Sequence, residues 1–227
     1  MPGLSTCEHE QSGVVVALEL LTESRNGGFS RLLDTVDRLR QRHGGDVFAS
    51  GTPVEAAEHA HYVFRERGLM PTARVADLQG QGAIAKECTL CVVKPHVVRD
   101  GELGAVLSFV SNRGFQVAAM RMMFVGEVEA EELLLPYRGV ICYHADAVRQ
   151  LKSGPCVVLQ IEGGSGVVEE FREACGPADP EVARALYPHS IRALLGVQQA
   201  TNGVHCTDLP EDGLLECQYM FRVVGRH

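Results

Sequence analysis

The sequence has no excess of positive charge. Its 21 lysines and arginines stand against 29 aspartates and glutamates, a formal net charge of −8, and no basic run is long enough to form a stripe. That balance excludes a general nucleic-acid surface, so an anionic ligand has to meet a few locally placed cations. A secretory signal is not expected in the first residues either: Met-Pro-Gly-Leu-Ser-Thr-Cys-Glu-His-Glu has neither a basic nor an apolar region, and the apolar run 14–21 already contains Glu19. These absences lead to the expectation of a soluble cytoplasmic protein with no membrane segment. Metal patterns are equally sparse. Cys88-Thr-Leu-Cys91 has the spacing of a metal or redox pair, but no second Cys-x-x-Cys completes it. The eight cysteines are scattered, mostly through apolar stretches, which fits reduced thiols better than a disulfide framework, so Cys88 and Cys91 are expected as buried strand thiols. Gly163-Gly-Ser-Gly166 lacks the following Gly-Lys-Ser/Thr of a phosphate loop and reads as a turn between strand and helix. His96 and His144, without metal-like spacing, read as surface or partly buried side chains.

What is there is a chain of 227 residues, 45% of them apolar, enough for one large domain or for a domain plus part of another. It repeats itself imperfectly. Ser12-Gly-Val-Val-Val-Ala-Leu-Glu-Leu matches Ser153-Gly-Pro-Cys-Val-Val-Leu-Gln-Ile, and Thr52-Pro-Val-Glu55 followed by Tyr62-Val-Phe matches Asp208-Leu-Pro-Glu211 followed by Tyr219-Met-Phe. The early copy resembles the back half of a domain and carries Ala49 where the later copy has His205, so residues 1–70 are expected to pack rather than react. Residues 71–86, with two glycines, a proline and no periodicity, suit a linker, and 87–227 suit a full domain. Hydrophobic spacing there predicts strands at 89–94, 116–125 and 155–161. Helices are predicted at 102–113, 128–150, 167–174, 180–186 and from about 209, an α/β or α+β arrangement. Asp208 is expected to cap the last helix, with Pro210 and Glu211 in its first turn.

Chemistry concentrates in Asn202-Gly-Val-His205-Cys-Thr-Asp208. A histidine beside an amide, a hydroxyl and a helix start brings a nucleophilic nitrogen, positioning hydrogen bonds and partial positive charge to one phosphoryl group. Lys94, at the end of an apolar strand, has a stem that can deliver a charged tip to a cleft. Arg172 and Arg192 have the side chain best shaped to hold two phosphate oxygens at once.

Taken together, Lys94-Pro95, Ser153-Gly-Pro155, Arg172, Ile191-Arg192 and Asn202-x-x-His205-x-Thr207-Asp208 resemble the nucleoside diphosphate kinases over roughly residues 87–223. Val-Lys-Pro-His-Val, Phe-Arg-Glu-Ala-Cys-Gly-Pro-Ala-Asp-Pro (171–180) and Val-His-Cys-Thr-Asp-Leu-Pro-Glu-Asp-Gly-Leu-Leu-Glu (204–216) are similar to the second catalytic domain of the family's two-domain branch. Residues 12–68 are similar to the tail of a first domain. The resemblance implies a ferredoxin-like βαββαβ antiparallel sheet covered by helices. It also implies a two-step exchange in which ATP or another nucleoside triphosphate phosphorylates a histidine and a nucleoside diphosphate removes the phosphate.

Carried over by position, His205 is the nucleophile and Glu216 orients its ring. Lys94, Arg172 and Arg192 hold the phosphates, Asn202 contacts sugar or phosphate, and Tyr143 stacks on the base. Magnesium bridges the nucleotide phosphates instead of occupying a protein cage. The branch's association with axonemal doublets and the γ-tubulin ring complex implies a structural alternative, with tubulin as partner and a place in the cytoskeleton, at the cilium axoneme or centrosome. Ala178 stands where the family has a threonine on the phosphate, and Glu132-Leu-Leu-Leu-Pro136 offers no counterpart to a tyrosine near the histidine. Losing one or two aligned hydrogen bonds costs on the order of 10² to 10³ in rate, so a slow site is expected. The stretch 181–190 is longer than in common members, which puts the oligomer contact made there in question.

Overall fold

Three apolar runs become strands in the computed structural model, which describes residues 28–43, 47–61 and 87–224. The strand signal at 12–20, the repeat match at 62–64 and the linker expected at 71–86 lie outside the described residues. The chain divides into two compact units, residues 1–70 and 71–227. In the first, α1 spans Gly28–His43 and α2 spans Pro53–Ala60. Helix α2 starts where its sequence says it should. Thr52 Oγ1 accepts the amide of Glu55 at 3.2 Å, the Glu55 carboxylate reaches back to the amide of Gly51 at 2.9 Å, and Pro53 occupies a position that needs no amide.

The second unit runs β1 (Cys88–Val93), α3 (Pro95–Arg99), α4 (Leu103–Asn112), β2 (Gln116–Phe124), α5 (Glu127–Leu133), α6 (His144–Leu151), β3 (Pro155–Glu162), α7 (Val167–Cys175), α8 (Pro180–Leu186), α9 (Ile191–Leu195), β4 (Val204–Cys206) and α10 (Gly213–Gln218). The strands form one sheet in the order β2-β3-β1-β4, every neighbouring pair antiparallel. This is the ferredoxin-like βαββαβ arrangement, an α+β fold. Both faces of β1 are covered, and all six of its residues are buried. Leu90 and Val92 pack on one side with α5, α6, α10 and the turn that carries Met220 and Phe221. Cys91 and Val93 pack on the other with α4, α7 and α9, around the fully buried Phe171. Side chains alternate along a strand, so Cys88 and Cys91, three apart, fall in opposite clusters and cannot share a ligand.

Several expectations shift. The helix expected over 128–150 is broken into α5, a tight turn at Leu135–Tyr137 and α6. Pro136 supplies no amide, and Gly139 takes φ +77, a left-handed conformation that a side chain resists. The final helix starts later than expected, with a 3₁₀ turn at Pro210–Asp212 before α10. Gly213 allows this approach, because a Cβ there would lie 2.2 Å from the carbonyl oxygen of Cys88. Neither element has a side-chain cap, so Asp208 is not the cap that its spacing indicated. Its carboxylate has charged and hydroxyl partners instead. Helices α3 and α9 and the three-residue β4 are too short for periodicity to reveal. His96 is buried, with Nδ1 2.9 Å from Gln150 Nε2, whereas His144 is half-buried against the carbonyl of Leu134.

Candidate active site

His205 occupies the middle of β4, opposite Val92 of the central strand. Its neighbours Val204 and Cys206 join the α4/α7 side of the core, so alternation turns the imidazole to the other side. The ring is 6% exposed and meets Tyr137 edge-on, with centroids 6.2 Å apart and planes at 85°. Its Nε2 lies 3.5 Å from Glu216 Oε2 and is buried without an aligned hydrogen bond. Glu216, on α10, is fixed from behind: its Oε2 accepts the hydroxyl of Thr207 at 2.8 Å, and Thr207 Oγ1 accepts the amide of Leu90 at 3.0 Å. A line of contacts thus runs from the middle of β1 through Thr207 and Glu216 to the histidine.

Three cations line the same cavity of about 400 Å³ as His205. Lys94 follows β1 directly, and its Nζ donates to Asn202 Oδ1 at 2.7 Å and to the carbonyl of Ala200 at 2.9 Å. Asn202 passes this on, its Nδ2 donating to the carbonyl of Ala178 at 3.0 Å. Arg192, on α9, is buried rather than solvated. Its Nη1 donates to Gly176 O at 2.6 Å, its Nε and Nη2 reach Val204 O, and Nη2 also approaches Cys206 Sγ at 3.5 Å. Arg172, on α7, is the exposed one, with Nε 2.9 Å from Asp208 Oδ1. Tyr143 joins the cavity wall beside Leu134, Ile141 and Ala147, and the remaining sequence-derived residue, Glu216, stands behind the ring.

Burial pushes the Lys94 ammonium down to about 7, with the Arg192 charge acting in the same direction. Between about 7 and the usual 10.5 the unfolded chain therefore holds a proton that the folded chain has released. Stability contributed through Lys94 rises with pH across that window and is flat below it, where both states are protonated. The difference in unfolding free energy between the unaltered chain and Lys94→Met is expected to climb with pH from 7 to 9, by at most roughly 1.4 kcal/mol per unit. Urea unfolding at several pH values measures it, and a level difference would contradict the shift.

Sequence reasoning missed Tyr137 as a member of this site; it placed Thr207 and Asp208 there, but not as the partners of Glu216 and of Arg172 with Tyr137. Tyr137 supplies the aromatic beside His205 that the run 132–136 does not, because the turn at Pro136 rotates it inward. Its hydroxyl donates to Asp208 Oδ2 at 2.6 Å, and burial together with that bond raises its pKa. The signal lay in the Pro-Tyr pair interrupting a helical pattern. Among the described residues, no group of three or more His, Cys, Asp or Glu is placed to hold a metal ion, and no helix is long and apolar enough to cross a membrane.

Comparison with known proteins adds to this geometry. Residues 87–224 match the family model "Nucleoside diphosphate kinase". The chain is 37% identical over 233 residues to nucleoside diphosphate kinase homolog 7 of Mus musculus, covering 94% of this chain and 56% of that protein. It thus spans little more than half the length of that relative. A nucleoside diphosphate kinase of Aquifex aeolicus is 34% identical over 138 residues, 61% of this chain and 96% of that one. The crystal structure of the Aquifex aeolicus nucleoside diphosphate kinase superposes with a TM-score of 0.57 at 33% identity, covering 62% of this chain and 99% of that chain.

Proposed function

Because the chain belongs to the nucleoside diphosphate kinase family, we propose that it moves the terminal phosphoryl group of a nucleoside triphosphate to a nucleoside diphosphate through a phosphohistidine at His205. The supporting observation is one cavity shared by His205, Lys94, Arg172 and Arg192. With Nε2 3.5 Å from Glu216 Oε2, Nδ1 is the nitrogen left for attack. Its lone pair bonds to the γ-phosphorus as the bond to the bridging oxygen breaks, and the nucleoside diphosphate leaves with those electrons. A terminal oxygen of an acceptor diphosphate then attacks the same phosphorus and frees Nδ1. The proton stays on Nε2 throughout, where the Glu216 carboxylate favours it.

The three cations stabilise charge spreading over the phosphoryl oxygens, and phosphate binding restores the charge that burial draws from Lys94. Asn202 positions sugar or phosphate, and Tyr143 stacks on a base without preference, since every base has a π-face. Magnesium would come with the nucleotide as part of the substrate and would supply charge neutralisation, since among the described residues no group of carboxylates is placed to hold it. Of the carboxylates that line the cavity, Asp208 is already engaged by Arg172 and Tyr137.

Incubation with ATP labelled in the γ-phosphate tests the proposal. An acid-labile label that passes to added GDP is expected, and a folded chain that takes up none overturns it. Ala178 lines the cavity without a hydroxyl. Ala178→Thr is therefore expected to raise transfer about 10-fold or more by adding a donor near the phosphate, and an unchanged rate with normal nucleotide binding counts against that contact. The same missing hydroxyl favours a second reading, in which the fold serves as a scaffold on ciliary doublet microtubules or the γ-tubulin ring complex. Absence of label together with pelleting on microtubules would favour it.

A further inference from the structure

Arg172 is paired with a carboxylate of its own chain. Its Nε donates to Asp208 Oδ1 at 2.9 Å, while Asp208 Oδ2 accepts the Tyr137 hydroxyl at 2.6 Å and the Tyr137 ring stands against His205. One carboxylate, three residues past the nucleophile, therefore ties a cation of the cavity to the aromatic that walls the imidazole. We infer that Asp208 is a positioning residue that holds Arg172 and yields it to the phosphates of an entering nucleotide. The inference rests on the phosphotransfer reading above.

The three cations differ in what binding would disturb. Lys94 and Arg192 are buried and bonded to backbone carbonyls, so moving either leaves acceptors unpaired in the interior. The Arg172–Asp208 pair has side chains 56% and 38% exposed, and water screens it and replaces its lost contacts. A phosphate carries more charge than a carboxylate and presents oxygens to both edges of a guanidinium, so the exchange runs toward the nucleotide. Asp208 keeps the Tyr137 hydroxyl after the exchange. Freeing Arg172 from this carboxylate offsets part of what its bonds to phosphate contribute, and the carboxylate stays close enough to take the guanidinium back, which opposes retention of the nucleotide and speeds product release. The carboxylate thereby sets a ceiling on affinity and keeps turnover from being limited by dissociation.

The test is binding of magnesium-ADP to the full chain by calorimetry, with GDP saturation kinetics alongside. Asp208→Asn keeps the size of the side chain and an acceptor for Tyr137, and is expected to tighten ADP about 3- to 10-fold. KM for GDP falls while kcat does not rise, a split that a merely structural role would not produce. In an Arg172→Ala background the same change is expected to alter ADP affinity by less than about two-fold, because the partner through which it acts is gone. Asp208→Ser, which removes the charge differently, reproduces the tightening if the amide disturbs Tyr137. Unchanged or weaker ADP binding by both folded variants overturns the inference, as does full tightening in the Arg172→Ala background, which would mean direct repulsion. If the unaltered chain binds no ADP, the phosphotransfer reading fails and takes this one with it. If it binds ADP and the variants match it, this one fails alone.

Discussion

His205→Gln is expected to abolish the acid-labile label from ATP and to lower transfer to GDP by on the order of 10⁴ or more, the scale seen when a covalent nucleophile is removed. Glutamine offers no nitrogen with a free lone pair, so the Nδ1–phosphorus bond cannot form. The three cations and Asn202 remain, and ADP should bind within about three-fold of the unaltered chain, because that contact does not depend on the nucleophile. The fold should persist as well: the Nε2 of His205 has no aligned hydrogen bond to lose, and glutamine is close in volume. Far-UV circular dichroism and thermal unfolding check that point. A label that survives the substitution would place the nucleophile elsewhere and end the proposed mechanism.

Arg192→Leu is expected to damage both activity and stability. The guanidinium is the common partner of Gly176 O on the loop after α7 and of Val204 O on β4, and it also faces Cys206 Sγ. Donation from Cys175 draws the Cys206 thiol down, with Arg192 acting in the same sense, so the sulfur is an electron-rich neighbour. Leucine leaves two buried carbonyls without donors and removes the charge facing that sulfur, at a cost of about 3–5 kcal/mol. For a domain of this size the unfolding midpoint should fall by roughly 10 °C. Transfer should fall by about 10² to 10³, since one of the groups that meets phosphoryl charge is gone. Arg192→Lys keeps the charge but not the fork, and should recover little of the stability. A midpoint within about 2 °C of the unaltered chain would show that the loop and β4 do not need this link.

Much of the fold was legible because it is written in long patterns. The three longer strands and the helices at 103–112, 167–175 and 180–186 follow from apolar runs and from turn residues at their ends. The fourth strand was not, since Val204-His-Cys is three residues long and takes its extended form from pairing with β1. Lys94, Arg172, Arg192 and His205 are far apart along the chain, and their convergence on one cavity is a property of the sheet order, beyond the reach of any local pattern. The resemblance supplied that order. Asp208 shows the limit of spacing rules: three residues before Glu211, it has the pattern of a cap, but an arginine from α7 and a tyrosine from a turn 71 residues earlier compete for the same oxygens. Tyr137 eluded the reading for the opposite reason, being placed by a break in a helix and not by the helix.

The strand order also separates two kinds of traffic. The histidine sits on one outer rim of the sheet, and the opposite rim is β2, where Met122 and Phe124 are 57% and 77% exposed and, among the described residues, one row of backbone groups has no neighbouring strand. Three strand spacings, roughly 14 Å, lie between them. Crowding on the far rim therefore acts at a distance from His205, so solubility engineering at Phe124 and catalytic engineering at the histidine are separate design problems.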